Sequence, residues 1–370
     1  MSSTPRGASS SRRDERCAAE GRTAVAVVGL GRWGLEHARA YASLPHVSLV
    51  AGCDIDPTRR ALAEREHDNL ATFATVEELV TERALHAASV VTREQDRLAV
   101  VATLLRAGVE VLVEKPLAAN LVDAAEIVRL AAAQQRVLMP GLILRFDPRY
   151  VAVREMIAAG HLGRPRSIVA RRLMPAEQHG KYGQSHLSLM ATIHDLDVAR
   201  WFFGREPRTV QAFLSPGRNN QASNPDHLIA LLRFDEGELA VVETGWVLPN
   251  GHDSWLEAGV EVVGESGIAQ IAIPDHAVSV SVAGRIERLD VVTISQLSGL
   301  GSGALRDELS YFVECVQARR WPDRADANDG IESLRLALGV VAALRSGDSV
   351  ELSELECGRP DTWRVKKERR

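Results

Sequence analysis

The glycines of Gly29-x-Gly31-x-x-Gly34, with Asp54 about twenty residues behind them, have the types and spacing to hold a phosphate and a ribose. The valine-rich run Val25–Val28 leads into the first glycine, and Leu35-Glu36-His37-Ala38-Arg39-Ala40 reads as a helix after the last. A buried strand, a tight turn and a helix N-terminus in that order aim backbone N–H groups and a positive dipole end at an anion. Gly29 permits the sharp turn, Gly31 lets the backbone approach a pyrophosphate, and Gly34 lets the helix pack against the strand. Leu30, Arg32 and Trp33 lie inside the same turn and count with it as cofactor contacts. Asp54 ends a second apolar run, Val47–Cys53, where a carboxylate accepts hydrogen bonds from both adenosine ribose hydroxyls and repels a 2′-phosphate. The expected cofactor is therefore NAD; Arg59 and Arg60, close by, leave NADP open.

Lys115 follows the run Val109–Val113 in the sequence Glu114-Lys115-Pro116. An ammonium just past the carboxyl end of a parallel strand sits where such sheets bind ligands. It can hold a substrate hydroxyl and stabilise the alkoxide that develops as hydride leaves, and Glu114 could orient it. His194 opens the segment IHDLDVARWFFG. Its imidazole titrates near neutrality and suits proton exchange between an alcohol and a ketone. Asp197, three residues on, shares its helical face, counts among the candidate substrate contacts, and either orients the ring or caps the helix, whereas Asp195 points elsewhere. The plainer alternatives are a surface lysine at a strand end and a histidine that only starts a helix.

The elements that must position these groups fall into two patterns. Through residues 23–144 strands alternate with helices: Val47–Cys53, a helix near Pro57, a strand at Ala87–Val91, a helix over Asp96–Ala107 closed by Gly108, the Val109 strand, and a helix over Asn120–Gln134. That rhythm gives a parallel, doubly wound Rossmann domain. Over residues 145–357 strands at about Ser167, Val210, His227, Glu238 and Leu256 follow one another, with turns at Asp235-Glu236-Gly237 and Gly264-Glu265-Ser266-Gly267. Short turns between successive strands give an α+β substrate and oligomerisation domain with a large, mostly antiparallel sheet. The fold class is α/β, and 370 residues with 45% hydrophobic content suffice for both cores. Residues 1–22 read as a disordered leader and 358–370 as a basic tail that Trp363 could anchor.

Composition narrows the function classes. A net charge of -5, with no basic face, argues against nucleic acid as a partner. Cys17, Cys53, Cys315 and Cys357 lack metal-ligand spacing, so no metal is expected, and their small number suits a reducing cytoplasm. Arg12-Arg13 is not followed by the apolar stretch an export signal needs, and no uncharged apolar run is long enough to span a membrane.

From about Thr23 to Glu354 the chain resembles the family of glucose–fructose oxidoreductase, inositol dehydrogenase and their relatives. The resemblance rests on GLGRWGLEHARA, AGCDID, AGVEVLVEKPLA, LILRFDPRY with AAGHLGRP, IHDLDVARWFFG, VEVVGESGIAQI and ANDGIESLRLALGVVAAL, in the family's order. It implies an NAD(P)-dependent oxidoreductase acting on a secondary alcohol of a sugar, cyclitol or related polyol. Lys115 would sit beside the nicotinamide, with Thr92 and Glu114 among the cofactor contacts, and His194 would be the catalytic histidine. It also implies a homodimer or homotetramer.

Two positions depart from the family pattern. Met190 stands four before His194, where many members carry an acid, and a thioether cannot polarise an imidazole or relay a proton. Arg93 and Arg97 stand at the proline and histidine positions of a TPxxxH motif whose threonine, Thr92, is kept. The arginines either recognise a substrate carboxylate or phosphate or simply lie on a solvated helix start. Tyr182 and His186 fall where relatives place substrate contacts, and Arg145 with Asp147 either lines the pocket or fixes the domain junction. The competing activities are a redox-cycling lyase or glycosidase that restores its own NAD, and a dinucleotide-binding regulator without turnover.

Overall fold

A computed structural model describes residues 21–67, 70–182, 185–215, 223–273, 278–282, 285–289, 292–293 and 303–355. The expected leader, except its last two residues, and the basic tail with Trp363 lie outside the described residues, as do Cys17, Cys357 and the side chain of Tyr182.

The chain forms two compact units. In the first, β1 (Thr23–Val28), β2 (Val47–Cys53), β3 (Ala71–Phe73), β4 (Ala87–Val90), β5 (Glu110–Glu114) and β6 (Leu138–Gly141) make one sheet in the order β3-β2-β1-β4-β5-β6. Every pairing is parallel. The residues of β1 and β4 are all buried, as apolar runs in a sheet covered on both faces must be. Order reverses between β1 and β4, so the crevice at their carboxyl ends is the place where ligands bind. Helices α1 (Arg32–Ala42), α2 (Pro57–Glu66), α3 (Val76–Glu82), α4 (Arg97–Arg106) and α5 (Leu121–Gln134) connect the strands. Local signals set their starts: Asp56 accepts the Thr58 N–H at 2.8 Å ahead of Pro57, and Thr75 accepts the Glu78 N–H at 3.2 Å. The short β3 and α3 carry too little periodicity to be read from sequence.

The second unit holds α6 (Pro148–Ala158), β7 (Pro165–Pro175), α7 (Ile193–Phe203), β8 (Thr209–Leu214), β9 (His227–Arg233), β10 (Leu239–Leu248), β11 (Glu257–Gly264), β12 (Ile268–Ile273) and β13 and β14 (Val278–Val282, Arg285–Leu289). Its main sheet runs β12-β11-β7-β10-β9-β8-β15, where β15 is Val350–Glu351, and β13 pairs with β14 as a separate two-stranded sheet among the described residues. The expected turns at 235–237 and 264–267 do join antiparallel neighbours. One pairing differs: β7 and β10 are parallel, because α7 and two strands intervene between them. Along β7 the side chains of Ile168, Ala170 and Arg172 are buried while Val169 and Arg171 are exposed, so one face of the sheet is covered and the other open.

The domain boundary expected from sequence requires a correction. Residues 145–357 do not all belong together, since the described part of Ile294–Gly330 packs in the first unit. There α8 (Ala304–Ala318) lies against α1, burying Leu305, Leu309, Phe312 and Val313. Gln317 Nε2 donates to Thr23 Oγ1 at 2.9 Å, and Arg306 Nε to Ser43 Oγ at 3.3 Å. An amphipathic pattern announces such a helix but does not say which unit buries its apolar stripe. Helix α9 (Ala327–Ser346) follows α8 in the chain.

Candidate active site

The glycine turn has the shape its sequence predicts. Gly29 has φ +94°, and a Cβ there would meet Val91 and Thr92 backbone atoms at 2.7–2.9 Å. A Cβ on Gly34 would lie 1.8 Å from Gly29 O, so only glycine lets α1 approach β1 this closely. A Cβ on Gly31 would meet nothing nearer than Arg59 Nη1 at 4.0 Å, leaving open space beside the backbone. Gly31 is also the N-cap of α1 and, as a glycine, supplies no side-chain hydrogen bond to the start of the helix.

Asp54, 7% exposed at the end of β2, braces this turn. Its Oδ2 accepts the Leu30 N–H at 2.8 Å and its Oδ1 the Asp56 N–H at 2.9 Å. A carboxylate has about four acceptor sites, so capacity remains for ribose hydroxyls. Arg59 Nη1 lies 3.5 Å from Asp54, and Arg60 donates to the carbonyls of Asp54 and Ile55 at 2.7 and 3.2 Å. Both arginines therefore have acids or carbonyls to serve. Thr92, in the loop after β4, has a buried Oγ1 with no partner among the described residues. An open glycine cradle, a glycine at the helix N-cap, a ribose-ready acid and an unsatisfied hydroxyl at the same sheet end together fit NAD.

Lys115 is half-buried just past β5, and its peptide bond to Pro116 is cis. The turn is held by Glu114, whose Oε2 accepts the Lys115 N–H at 3.0 Å. Glu114 Oε1 receives Trp33 Nε1–H at 2.7 Å and lies 3.2 Å from His37 Nε2. Burial drives the Glu114 carboxyl upward, but His37, Lys115 and Trp33 together hold it below the usual carboxylate range. Sequence reasoning counted Trp33 among the cofactor contacts of the turn and did not find its bond to Glu114 or His37; the i, i+4 spacing of the two on α1 was the available signal.

Arg97 is not placed for substrate binding, and the expectation is corrected. It is 5% exposed, and its donors point at protein carbonyls. Nε and Nη2 donate to Thr92 O at 3.2 and 3.0 Å, and Nη1 donates to Glu114 O and Pro116 O. Burial lowers the guanidinium to about 10, opposed by Glu114 and Glu94, so it stays charged near neutrality. Arg93, by contrast, is exposed.

In the second unit His194 is half-buried in the first turn of α7, after a π-helical turn over Ser188–Thr192 that carries Met190. The helix thus starts earlier than its sequence suggests, and π turns of this kind recur at functional positions. His186 Nδ1 accepts the Ser188 N–H at 3.1 Å at the start of that turn. Asp197 and Arg145, both expected at the substrate, are brought to each other instead. They form a bidentate pair at 2.8 and 2.9 Å, 2% and 3% exposed, and Ser333 Oγ donates to Asp197 at 2.8 Å. Asp195 does point elsewhere, to Arg172 on β7 at 2.7 and 3.0 Å. Asp147 caps α6, accepting the Arg149 N–H at 3.0 Å. These buried pairs pin α7, and with it the backbone that carries His194.

Residues 23–142 match the model of an oxidoreductase family with an NAD-binding Rossmann fold, and residues 150–270 match the GFO/IDH/MocA C-terminal domain. The chain is 30% identical over 350 residues to inositol 2-dehydrogenase of Rubrobacter xylanophilus, covering 90% of this chain and 94% of that protein. This chain belongs to the GFO/IDH/MocA family. It is 26% identical over 337 residues to scyllo-inositol 2-dehydrogenase (NAD(+)) of Bacillus subtilis, covering 88% of this chain and 95% of the relative. Scyllo-inositol dehydrogenase from Lactobacillus casei, solved with bound NAD(H) and scyllo-inositol, superposes with a TM-score of 0.77 at 22% identity over 90% of this chain and 99% of that one, which shows the shared fold. As a GFO/IDH/MocA member the protein is an oxidoreductase, and NAD is its cofactor. Among the described residues no His, Cys, Asp and Glu cluster could hold a metal ion, and no helix is long and apolar enough to cross a membrane.

Proposed function

We propose that the protein is an NAD-dependent dehydrogenase of a secondary alcohol on a cyclitol or closely related polyol. The observation that carries this reading is the anchored Glu114-Lys115-Pro116 turn, at the same end of the sheet as the glycine cradle and Asp54. Relatives matching nearly the whole chain are inositol dehydrogenases, which supports a cyclitol as substrate. Lys115 donates to the carbinol oxygen, and its positive charge stabilises the oxygen as negative charge develops there. His194 accepts the hydroxyl proton. Bound NAD supplies the hydride acceptor. Met190 can take no share of the proton work, which leaves it to His194, with His186 the next titrating side chain upstream on that segment. The buried Arg145–Asp197 pair acts by fixing α7 rather than by touching substrate.

The test is purified protein, a mass spectrum for retained nucleotide, and absorbance at 340 nm with NAD and a panel of inositols and sugars. NAD reduction by an inositol supports the reading. Retained NAD that no alcohol reduces overturns it in favour of internal redox cycling.

The open sheet face exposes Val169, Phe213 and Ile268 by 51%, 56% and 65%, and we propose that it joins copies of this chain into a homodimer or homotetramer. Light scattering that returns a monomer would refute this. Buried, unbridged Cys53 and Cys315 support a cytoplasmic setting.

A further inference from the structure

The structure assigns Arg97 a role as the positioning residue of the reacting lysine: a charged splint that ties the loop after β4 to the turn after β5 and fixes Lys115 from both sides. Strands β4 and β5 are parallel neighbours, with Val90 opposite Val113. The chain leaves both at the sheet end where the cofactor binds, so Thr92 and the Lys115 turn emerge side by side. Helix α4 begins at Arg97 and places the guanidinium beneath the two of them.

The acceptors define the role. Nη1 serves Glu114 O and Pro116 O, the carbonyls immediately before and after Lys115. Nε and Nη2 both serve Thr92 O on the neighbouring loop. A guanidinium is planar and presents donors on three nitrogens in a fixed fork, so one side chain can span two loops. An ammonium offers its donors from a single atom, and an imidazole has two donors at most. Neither can serve three carbonyls on two loops in this arrangement. Glu114 adds a second brace by accepting the Lys115 N–H, with its other oxygen held from α1 by Trp33 and His37. Lys115 therefore sits on a backbone fixed through α1, α4 and the adjacent strand.

A positioning role shows itself in turnover rather than in affinity. Displacing a reacting group by about 1 Å costs on the order of a hundredfold in rate. The inference rests on the dehydrogenase reading, so its test includes a measurement that needs no turnover. Arg97→Met, Arg97→Lys and wild type are compared by hydrogen–deuterium exchange of the peptide spanning residues 110–118, by NAD titration, and by kcat, KM and the primary deuterium isotope effect with a carbinol-deuterated inositol. The expected result is faster exchange in residues 110–118 for Arg97→Met. NAD affinity should stay within about threefold while kcat falls about a hundredfold with KM little changed, and the isotope effect should rise as hydride transfer becomes limiting. Arg97→Lys, which keeps the charge but not the fork, should fall between the two.

Unchanged exchange in a folded Arg97→Met protein overturns the splint. A loss confined to KM also overturns it, since that would make Arg97 a substrate contact. If Arg97→Met does not fold, Arg97→Lys carries the same comparison, and a loss of NAD binding in step with thermal stability in Arg97→Lys would reduce Arg97 to a packing role. Failure of wild type to oxidise any alcohol sinks the dehydrogenase reading alone, because the exchange result stands independently of it.

Discussion

Replacing Glu308 with glutamine should abolish a pH dependence of stability that is built into the cofactor unit. Glu308 lies on α8, is 0% exposed, and neither carboxyl oxygen has a hydrogen-bond partner among the described residues. Burial first, and then the negative charge of Glu114, raise its pKa well above the ordinary glutamate value. The folded protein therefore holds a proton that the unfolded chain releases near its ordinary value of about 4.3. For a group shifted in this direction stability is greatest below the unfolded pKa and falls as pH rises, until the folded pKa is passed. A difference of one bound proton gives a slope of about 1.4 kcal/mol per pH unit within that window. For a domain of this size the slope corresponds to about 3 to 5 °C in melting temperature per unit. Glutamine has the same shape, carries no charge and cannot titrate, so Glu308→Gln should match wild type near pH 4.5 and become progressively more stable than it toward pH 8. The assay is thermal and urea unfolding of both proteins across that range, read as the difference between the two curves so that other titrating groups cancel. Parallel curves, or a variant that weakens as pH rises, would refute the argument that Glu308 is buried neutral.

Three other outcomes follow from the same geometry. Asp54→Ser removes the ribose acceptor and the brace on Leu30, so NAD affinity should drop by roughly 10- to 100-fold while the preference against NADP narrows; calorimetric titration with each nucleotide checks it. Arg145→Met removes the bidentate partner of the buried Asp197, leaving it Ser333 Oγ at 2.8 Å and Arg200 Nη1 at 3.9 Å, and should lower stability by about 3 kcal/mol, with much of the loss restored in Arg145→Met/Asp197→Leu, as urea unfolding would show. Lys115→Met and His194→Asn should each lower kcat by about a hundredfold or more, with NAD affinity held within about threefold; unchanged turnover in either variant would remove that residue from the reaction.

The glycine turn, Asp54 and the position of Lys115 were legible because their signals are local. Glycine stereochemistry, an apolar run and an acid at a fixed distance need only a few consecutive residues, and each places a backbone feature at a known end of a strand. The alternation of strands and helices, and hence the Rossmann unit, was legible for the same reason. Local pattern could not supply partners. Arg97 reads as either a substrate-recognising or a solvated charge at a helix start until β4 and β5 pair and bring three carbonyls onto it. Asp197 and Arg145 read as two candidates for substrate until folding spends each on the other across 52 positions. The amphipathic pattern of α8 foretold a helix, but not that Glu308 would be pressed toward Glu114 in the first unit, nor that β7 would pair parallel with β10. Periodicity and turn chemistry act within a few residues and are written in sequence; which distant surfaces meet depends on burying every apolar stripe at once, and only the tertiary structure solves that problem.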